Sequence, residues 1–425
     1  MQSWVVIVHR LTGYLSAVYT FSKDALNFVI TNKWLTRIWT VQELLLASDL
    51  IVRCGAMTMT WLSLYGLVIH SCYDHKEWGA GFQYFKVRVE GRQYLQHEIK
   101  YLSYKDSLSE IDYSNRRWRN VQDIIRTNQC TDPKDKVYGI YSLLPFPSEA
   151  LPPVDYSKST TKIYEEFTKA IILCVQSLDS LLVWDGRKTL TGLPSWVPDF
   201  STIGNIRTVQ SQARRMPLAA TRGSPVDMRA LAESKSGQLA LKCHFLATVS
   251  KVTRKWPREQ ASDHELIHIP DWLHLSSSLQ SSSTIDLTIA TLQDLLTLGD
   301  VEYLDDEWSF CKQGLHNDLA TVVSLRETDG EARSNAIQRI HHTVSYWIAG
   351  RALFTTRSGR IGVCTGSLKR GDAVALVAGC SSPLIVRAQG DNFSLIGHAY
   401  VRGIMKGEAW PGDVAIEQLD TIVLV

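Results

Sequence analysis

The residues with the clearest metal-binding spacing lie between positions 264 and 274. The run His264-Glu265-Leu-Ile-His268 matches the pattern H-E-x-x-H, and His274 follows it at the distance of a third ligand. Two histidines one helical turn apart can share a zinc ion, and the glutamate between them can act as a general base. The spacing therefore raises the hypothesis of a zinc peptidase with three histidine ligands and Glu265 as the base.

The residues around this motif oppose the zinc hypothesis. Pro270 falls inside the spacing, Asp271 stands where a glycine is usual, and residues 258–263 are too polar for a buried active-site helix. The only later methionine, Met405, is too distant for the methionine turn of such enzymes. We therefore expect these histidines to lie in a solvated segment and the chain to bind no metal.

The composition is that of a soluble globular protein. The chain has 425 residues, 45% hydrophobic and 21% charged, which predicts two or three domains. A net charge of +2 without a basic tail gives no support for nucleic-acid binding. No apolar run reaches the roughly 18 residues of a membrane span. The eight cysteines form no C-x-x-C pair, which favours a reducing, cytoplasmic location.

Hydrophobic patterning divides the chain into four regions. Residues 1–75 contain short helices at 24–32 and 35–47 and a buried strand at Leu50–Cys54. Residues 76–238 are mainly helical, with an irregular insertion at 76–115 and a helix at 134–144. A further helix that runs to about Ser177 has an apolar face with Ile163, Phe167 and Ile171, and the prolines of 193–199 predict an ordered, tryptophan-anchored loop.

Residues 239–352 begin with a strand that alternates from Leu239 to Val249 and continue into a polar, serine-rich segment. Short β segments separated by glycines fill residues 353–425, which predicts a small, mostly antiparallel β module; they include 353–356, 360–363, 373–377, 384–386 and 393–401. The predicted fold class is therefore mixed, α+β with an α/β remnant.

Several blocks of residues resemble one family. The first runs from Trp34-Leu-Thr-Arg37-Ile-Trp39-Thr-Val-Gln42-Glu43 to Gly55 and Trp61. Further blocks are Asp132-Pro-Lys-Asp-Lys-Val-Tyr-Gly139, Val154-Asp-Tyr-Ser157, Leu193-Pro-Ser-Trp-Val-Pro-Asp199 and Tyr400-Val-Arg-Gly-Ile-Met-Lys-Gly-Glu408. Together they resemble the extended family of fungal heterokaryon-incompatibility (HET) proteins, and the first block is similar to the last conserved block of the HET domain.

Two earlier blocks of that family have no counterpart in the chain. They are a Ser-Tyr-x-Trp-Gly motif and an Ile-Asp-x-Cys-Ile-Asn-Gln motif, so the resemblance implies an N-terminally truncated HET domain. The family fold is thought to be similar to TIR domains, a doubly wound parallel sheet. We therefore expect residues 1–75 to be a remnant of such a sheet, without the loops that would surround a nucleotide site.

Glu43 is the candidate catalytic residue that the resemblance implies. TIR-like enzymes that cleave NAD use a glutamate within a Trp-Cys-x-x-Glu-Leu sequence, and Trp39-Thr-Val-Gln-Glu43-Leu is similar to it. A carboxylate can stabilise an oxocarbenium-like ribosyl transition state. The alternative is that Glu43 pairs with Arg37 or Arg53 and has a structural role.

The resemblance favours a regulatory protein over an enzyme. It implies recognition of a non-self protein partner at cell fusion, followed by growth arrest or cell death. We expect no cofactor and no catalysis, with NAD cleavage by Glu43 as the alternative and the zinc peptidase as a more remote one. No P-loop or dinucleotide-binding glycine pattern is present in the sequence.

Overall fold

The computed structural model describes residues 5–7, 32–47, 49–54, 57–64, 110–183, 188–202, 218–256, 271–272, 285–299, 306–324 and 330–425. The chain divides into two compact units, Met1–Thr160 and Thr161–Val425. No helix within the described ranges has both the length and the apolar character needed to cross a membrane.

The first unit combines a small sheet with short helices. Its strands are β1 (Val5–Ile7), β2 (Ile51–Cys54) and β3 (Met57–Thr60), in the order β1-β2-β3. Its helices are α1 (Trp39–Leu46), α2 (Glu110–Thr127) and the single turn α3 (Asp135–Tyr138), with 3-10 turns at Lys33–Thr36, Tyr141–Leu143 and Ser148–Ala150. β2 confirms the strand predicted at 50–54, but its burial is partial, because Val52 is buried, Ile51 is half-buried and Arg53 is exposed.

The strand pairing in the first unit differs from a doubly wound sheet. β1 pairs antiparallel with β2, and β2 pairs antiparallel with β3. A parallel sheet requires a crossover between neighbouring strands, whereas a tight connection of two residues joins β2 to β3. The strands that the structure describes therefore form a hairpin with one added strand, and the TIR-like sheet stays a prediction.

Two helical predictions and one expected insertion in the first unit differ from the structure. The helix expected at 35–47 is split, because Arg37 has an extended backbone with ψ 135° between the 3-10 turn and α1. The helix expected at 134–144 is reduced to α3 and a 3-10 turn, separated by Gly139 and Ile140. The expected insertion at 76–115 overlaps α2, which begins at Glu110. The rest of the insertion and most of the helix predicted at 24–32 lie outside the described ranges.

The second unit contains a sheet that closes on itself. β4 (Leu239–Lys255) pairs through its first half with β7 (Ala373–Val377) and through its second half with β5 (Ala352–Thr356). The ring continues through β6 (Ile361–Cys364), β9 (Asn392–Val401) and β8 (Leu384–Gln389) back to β7. A seventh strand, β10 (Asp420–Leu424), pairs antiparallel with β4 and meets β9 at Phe393. The predicted antiparallel β module is confirmed.

Helices pack beside this closed sheet. The second unit begins with α4 (Thr160–Val175) and includes α5 (Met228–Ala232), α6 (Ile285–Leu296), α7 (Asp306–Ser324) and α8 (Gly330–Ile348). A 3-10 turn follows α4 at Asp179–Val183, and another precedes β10 at Ile416–Gln418. The predicted apolar face of α4 is confirmed, since Ile163, Phe167 and Ile171 are all buried.

Two hydrophobic clusters sit on opposite faces of the sheet. One fills its interior with side chains from most strands, including Val249, Phe354, Leu376, Ile385 and Val401. The other joins Leu353 and Val363 on the outer face to α6, α7 and α8, with Trp256 and Trp272 in edge-to-face contact at 5.0 Å. Alternate residues of one strand therefore enter different clusters, as the period of two in a strand requires.

Candidate functional site

Glu43 lies on the exposed face of α1. Thr40, Val41, Leu44 and Leu45 form the buried face of this helix. Trp39, Glu43 and Leu46 follow one another at helical spacing on the other side, with 38% of Trp39 and 51% of Leu46 exposed. We call these three residues the α1 surface. Among described residues, none donates a hydrogen bond to the Glu43 carboxylate or forms an ion pair with it, so the pairing expected with Arg37 or Arg53 is not found.

The other residues of the first family-like block have structural contacts. Trp34 is half-buried in the first 3-10 turn, whose N-terminus is capped by the Asn32 side chain. Arg37 is exposed, and its backbone forms a parallel β-bridge with Gln129. Trp61 is buried, whereas Gly55 lies outside the described residues. The described residues of the block thus hold α1 in place within the first unit.

Gln42 connects this block to the second family-like block. Its Nε2 donates to the carbonyl oxygen of Gly139 at 2.6 Å. The backbone of Gln129 supports the same junction, because its carbonyl accepts from Ile38 at 2.9 Å and its N–H donates to Thr36 at 2.5 Å. A Cβ at Gly139 would lie 2.6 Å from the Asp135 carbonyl oxygen and 3.0 Å from Ile38, which explains the glycine.

Lys136 closes the C-terminal end of α2. The side chain is buried, and its ammonium donates to the carbonyl oxygens of Ile125 (2.8 Å) and Asn128. The last carbonyl groups of a helix lack partners within the helix and carry partial negative charge, so a cation is favourable there. Lys136, the second lysine of the Asp132–Gly139 block, therefore has a structural role.

The third family-like block is held by the second. The Tyr138 hydroxyl donates to the Asp155 carbonyl oxygen and accepts from the Asp155 N–H, at 3.1 and 3.0 Å. Tyr156 donates to Asp135 at 2.6 Å, and burial together with this bond raises the pKa of the Tyr156 phenol. Asp155 accepts from the N–H and the hydroxyl of Ser157, which lowers its pKa. The three blocks form one bonded framework in the first unit.

In the second unit, the Leu193–Asp199 block forms the predicted tryptophan-anchored loop. Trp196 is buried, and its Nε1 donates to the Gly237 carbonyl oxygen at 3.2 Å. Asp199 is also buried and accepts five hydrogen bonds from Thr189, Leu190 and Ser201. Burial alone would raise the pKa of Asp199, but these bonds outweigh it and lower the pKa.

Glu165 is a buried carboxylate that the sequence did not single out. It accepts from the Gly237 N–H at 2.7 Å and pairs with Lys162 and Lys169 at 3.3 and 3.4 Å. Burial opposes ionisation, and these partners outweigh it and lower the pKa of Glu165. The available signal was an acidic residue inside the apolar face of α4, between Tyr164 and Phe167. Its partners are structural, so we assign it no chemistry.

The predicted zinc ligands cannot be located. His264, Glu265, His268 and His274 lie outside the described residues, so the zinc hypothesis stays untested. Within the part of the chain that is described, no group of three His, Cys, Asp or Glu side chains could hold a metal ion.

Two comparisons relate this chain to known proteins. Residues 284–413 match the family model of the Het-6 β-barrel domain, which covers α6 to α8 and β5 to β9. The chain is 22% identical over 460 residues to heterokaryon incompatibility protein 6, OR allele, of Neurospora crassa. This alignment covers 89% of the chain and 65% of the relative, so the chain spans about two thirds of that protein's length. No solved structure shows significant similarity to the chain.

The matched domain agrees with the closed sheet of the second unit, because the family model describes a β-barrel at residues that include β5 to β9. Residues 284–413 therefore match the Het-6 β-barrel domain, and the chain as a whole is similar to a heterokaryon-incompatibility protein.

Proposed function

We propose that this chain is a regulatory protein that recognises a non-self protein partner and triggers growth arrest or cell death without catalysis. The observation that carries the proposal is the α1 surface. Trp39 and Leu46 expose apolar areas on either side of Glu43, although other apolar residues of α1, Val41, Leu44 and Leu45, are buried. Exposed aromatic residues beside a charge are typical of protein-binding hot spots.

The partner that fits this surface has an apolar pocket with a basic residue at its rim. Trp39 would enter the pocket, Leu46 would extend the apolar contact, and Glu43 would pair with the basic residue. The charge of Glu43 is open to such a pairing, because no described residue already binds its carboxylate. The name of the Neurospora relative supports the biological setting, an incompatibility reaction between fungal strains.

A transformation assay in Neurospora crassa tests the recognition role. The chain is expressed in a strain in which it triggers growth arrest, and the double variant Trp39→Ala/Leu46→Ser is compared with it at equal protein level. We expect the variant to raise colony recovery at least tenfold. The matched control is Leu173→Ser, because Leu173 on α4 is 43% exposed and lies outside the α1 surface. Wild-type growth arrest by the double variant would contradict the proposal.

Nicotinamide release tests the non-catalytic part of the proposal. The alternative, NAD cleavage by Glu43, needs the ribose held against the carboxylate, and an error of about 1 Å can lower the rate on the order of 100-fold. No described group is bonded to Glu43 to help with that positioning. We expect no turnover. Nicotinamide release that disappears in Glu43→Ala would replace this proposal with the enzymatic one.

We also propose a cytoplasmic location and a TIR-like origin for the first unit. Cys130, Cys174, Cys243, Cys364 and Cys380 are free thiols, which supports a reducing compartment. The TIR-like origin is supported by the resemblance of the Trp34–Glu43 block alone, because the described strands pair antiparallel.

A further inference from the structure

We propose that a cleft in the second unit binds a small anionic ligand, with a phosphate or carboxylate group held by Lys188 and an apolar part along β9. The cleft has a volume of about 670 Å³, a size typical of small-molecule sites. Its walls come from the loop at 188–195, Gly237, Ser367, the middle of β9 and Val425. This site is separate from the α1 surface and does not depend on the proposed function.

Lys188 is the one charged side chain among the described residues that line the cleft. Its ammonium donates to the Pro194 carbonyl oxygen, which leaves two N–H donors. The surrounding protein lowers the pKa of Lys188 to about 8, and the charge of Asp199 acts in the opposite direction. At pH 7 the amine is therefore about nine-tenths protonated.

No carboxylate among the described residues forms a direct ion pair with Lys188. Asp199 is the carboxylate that influences it, but both Asp199 oxygens already accept hydrogen bonds from Thr189, Leu190 and Ser201. Lys188 is exposed at the rim of the cleft, and its ammonium can form a charge-assisted hydrogen bond with an anion bound there. The cleft thus favours a ligand with a negative group.

Hydroxyl and apolar groups surround the cation. Ser367 and Ser394 line the cleft, and neither hydroxyl is used in a hydrogen bond to any described residue. Hydroxyl groups can donate to the oxygens of a phosphate or carboxylate. Leu395 and Ile396 of β9 supply half-buried apolar surface beside them. These groups fit an anionic head joined to an apolar body.

The wall of the cleft is preorganised. The Ser195 N–H donates to the Val425 carbonyl oxygen, and the Ser195 hydroxyl accepts from the Leu395 N–H, both at 2.8 Å. Asp199 fixes Thr189 and Leu190, the two residues after Lys188. These hydrogen bonds hold the wall in place before a ligand binds, so binding costs little conformational entropy and a small molecule can bind with useful affinity.

Pyridoxal 5′-phosphate is a probe for this site in the full chain. The Lys188 amine attacks the aldehyde carbon, an imine forms with loss of water, and borohydride delivers the hydride that reduces the imine to a stable secondary amine. Peptide mass spectrometry then locates the label. We expect Lys188 to be labelled at least tenfold faster than the exposed Lys251, and pyridoxal without its phosphate to label Lys188 at least fivefold more slowly.

Variants and competitors separate the site from general lysine reactivity. Lys188→Met should remove the dominant label, whereas Ser367→Ala/Ser394→Ala should keep Lys188 but slow its labelling at least threefold. Lys251→Met is the control and should leave Lys188 labelling unchanged. Inorganic phosphate and hexanoate are tested as competitors at constant ionic strength, and protection by either supports the site and names its anion. Labelling spread evenly over exposed lysines, or no protection by both anions, would overturn the proposal.

Discussion

The side-chain amide of Gln42 donates a 2.6 Å hydrogen bond to the carbonyl oxygen of Gly139, 97 residues further along the chain. Gln42 is the neighbour of Glu43, the residue that the resemblance marks as catalytic. The Gln42 side chain contacts the framework of the first unit, whereas the adjacent Glu43 side chain is exposed to solvent. The family-like block therefore serves both the fold and the exposed α1 surface.

Replacing Gln42 with leucine should destabilise the first unit. The substitution removes the donor for the Gly139 carbonyl oxygen at a half-buried position, and we expect a loss of about 1–2 kcal/mol in the free energy of unfolding. Urea unfolding followed by tryptophan fluorescence measures it. Glu43→Gln is the control on the same helix and should change stability by less than about 0.5 kcal/mol, because its side chain is exposed. Equal losses in the two variants would show that the bond to Gly139 contributes nothing.

Replacing Lys136 with methionine should cost more. The variant keeps most of the side-chain volume but removes the ammonium that binds the Ile125 and Asn128 carbonyl oxygens at the end of α2. The cost of leaving such acceptors buried without a donor is about 2–4 kcal/mol for a charge-assisted contact. The readout is amide hydrogen exchange in the last turn of α2, which should become faster. Unchanged protection there would contradict the capping role.

Local patterns in the sequence predicted the elements of the closed sheet well. The strand at 373–377 was predicted with its observed bounds, and the alternation from Leu239 to Val249 predicted the first part of β4. Each depends on a period of two within the strand itself. The closure of the sheet was not predicted, because β4 pairs with β5 and β7 through irregular registers, and the partner residues lie about 100 or more positions further along the chain.

The helices on the outer face were missed for a different reason. In α8 the buried residues Ala336, Ile340, Val344 and Ile348 recur every four positions, which is a helical pattern. Polar residues between them, such as Gln338, Arg339 and His342, interrupt the apolar runs, so the pattern was not recognised. Lys188 and the cleft could not have been found at all, since no motif joins it to Ser367 or Ser394, and only the fold brings them together.

The bidentate ion pair between Arg387 and Asp372 should stabilise the second unit. Arg387 donates to the two carboxylate oxygens at 2.7 and 2.9 Å, and Asp372 is buried. The bond to Asp372 raises the pKa of Arg387, so the guanidinium is charged at any working pH. A double-mutant cycle with Arg387→Met and Asp372→Asn should give a coupling energy of about 2 kcal/mol.

A second ion pair in the same unit provides the matched comparison. Arg339 also contacts Asp318 through two nitrogen atoms, at 3.0 and 2.7 Å, but the Arg339 side chain is 59% exposed. Exposed pairs contribute on the order of 0–1 kcal/mol because solvent screens them. The cycle with Arg339→Met and Asp318→Asn should therefore give the smaller coupling. If the coupling energy of the Arg339–Asp318 pair were the larger, the free-energy cost of burying Asp372 would exceed the stabilisation from its pairing with Arg387.

His398 should make the second unit less stable in mild acid. The residue lies on β9 and is half-buried as a whole, and burial of its imidazole lowers its pKa to about 3, with the cation of the buried Arg351 acting in the same direction. An unfolded histidine has a pKa of about 6.5. Between these two values the unfolded chain binds more protons than the folded one, so stability is full above about pH 6.5 and falls as the pH drops below it.

Between pH 7.5 and 5.5 we expect wild type to lose about 1 kcal/mol more of its unfolding free energy than His398→Gln, measured by urea unfolding at both pH values. His342→Gln changes an exposed histidine on α8 and is the control, which should keep the pH dependence of wild type. If His398→Gln also keeps that dependence, the folded state accommodates a charged imidazole beside Arg351, and the burial of His398 is looser than the structure indicates.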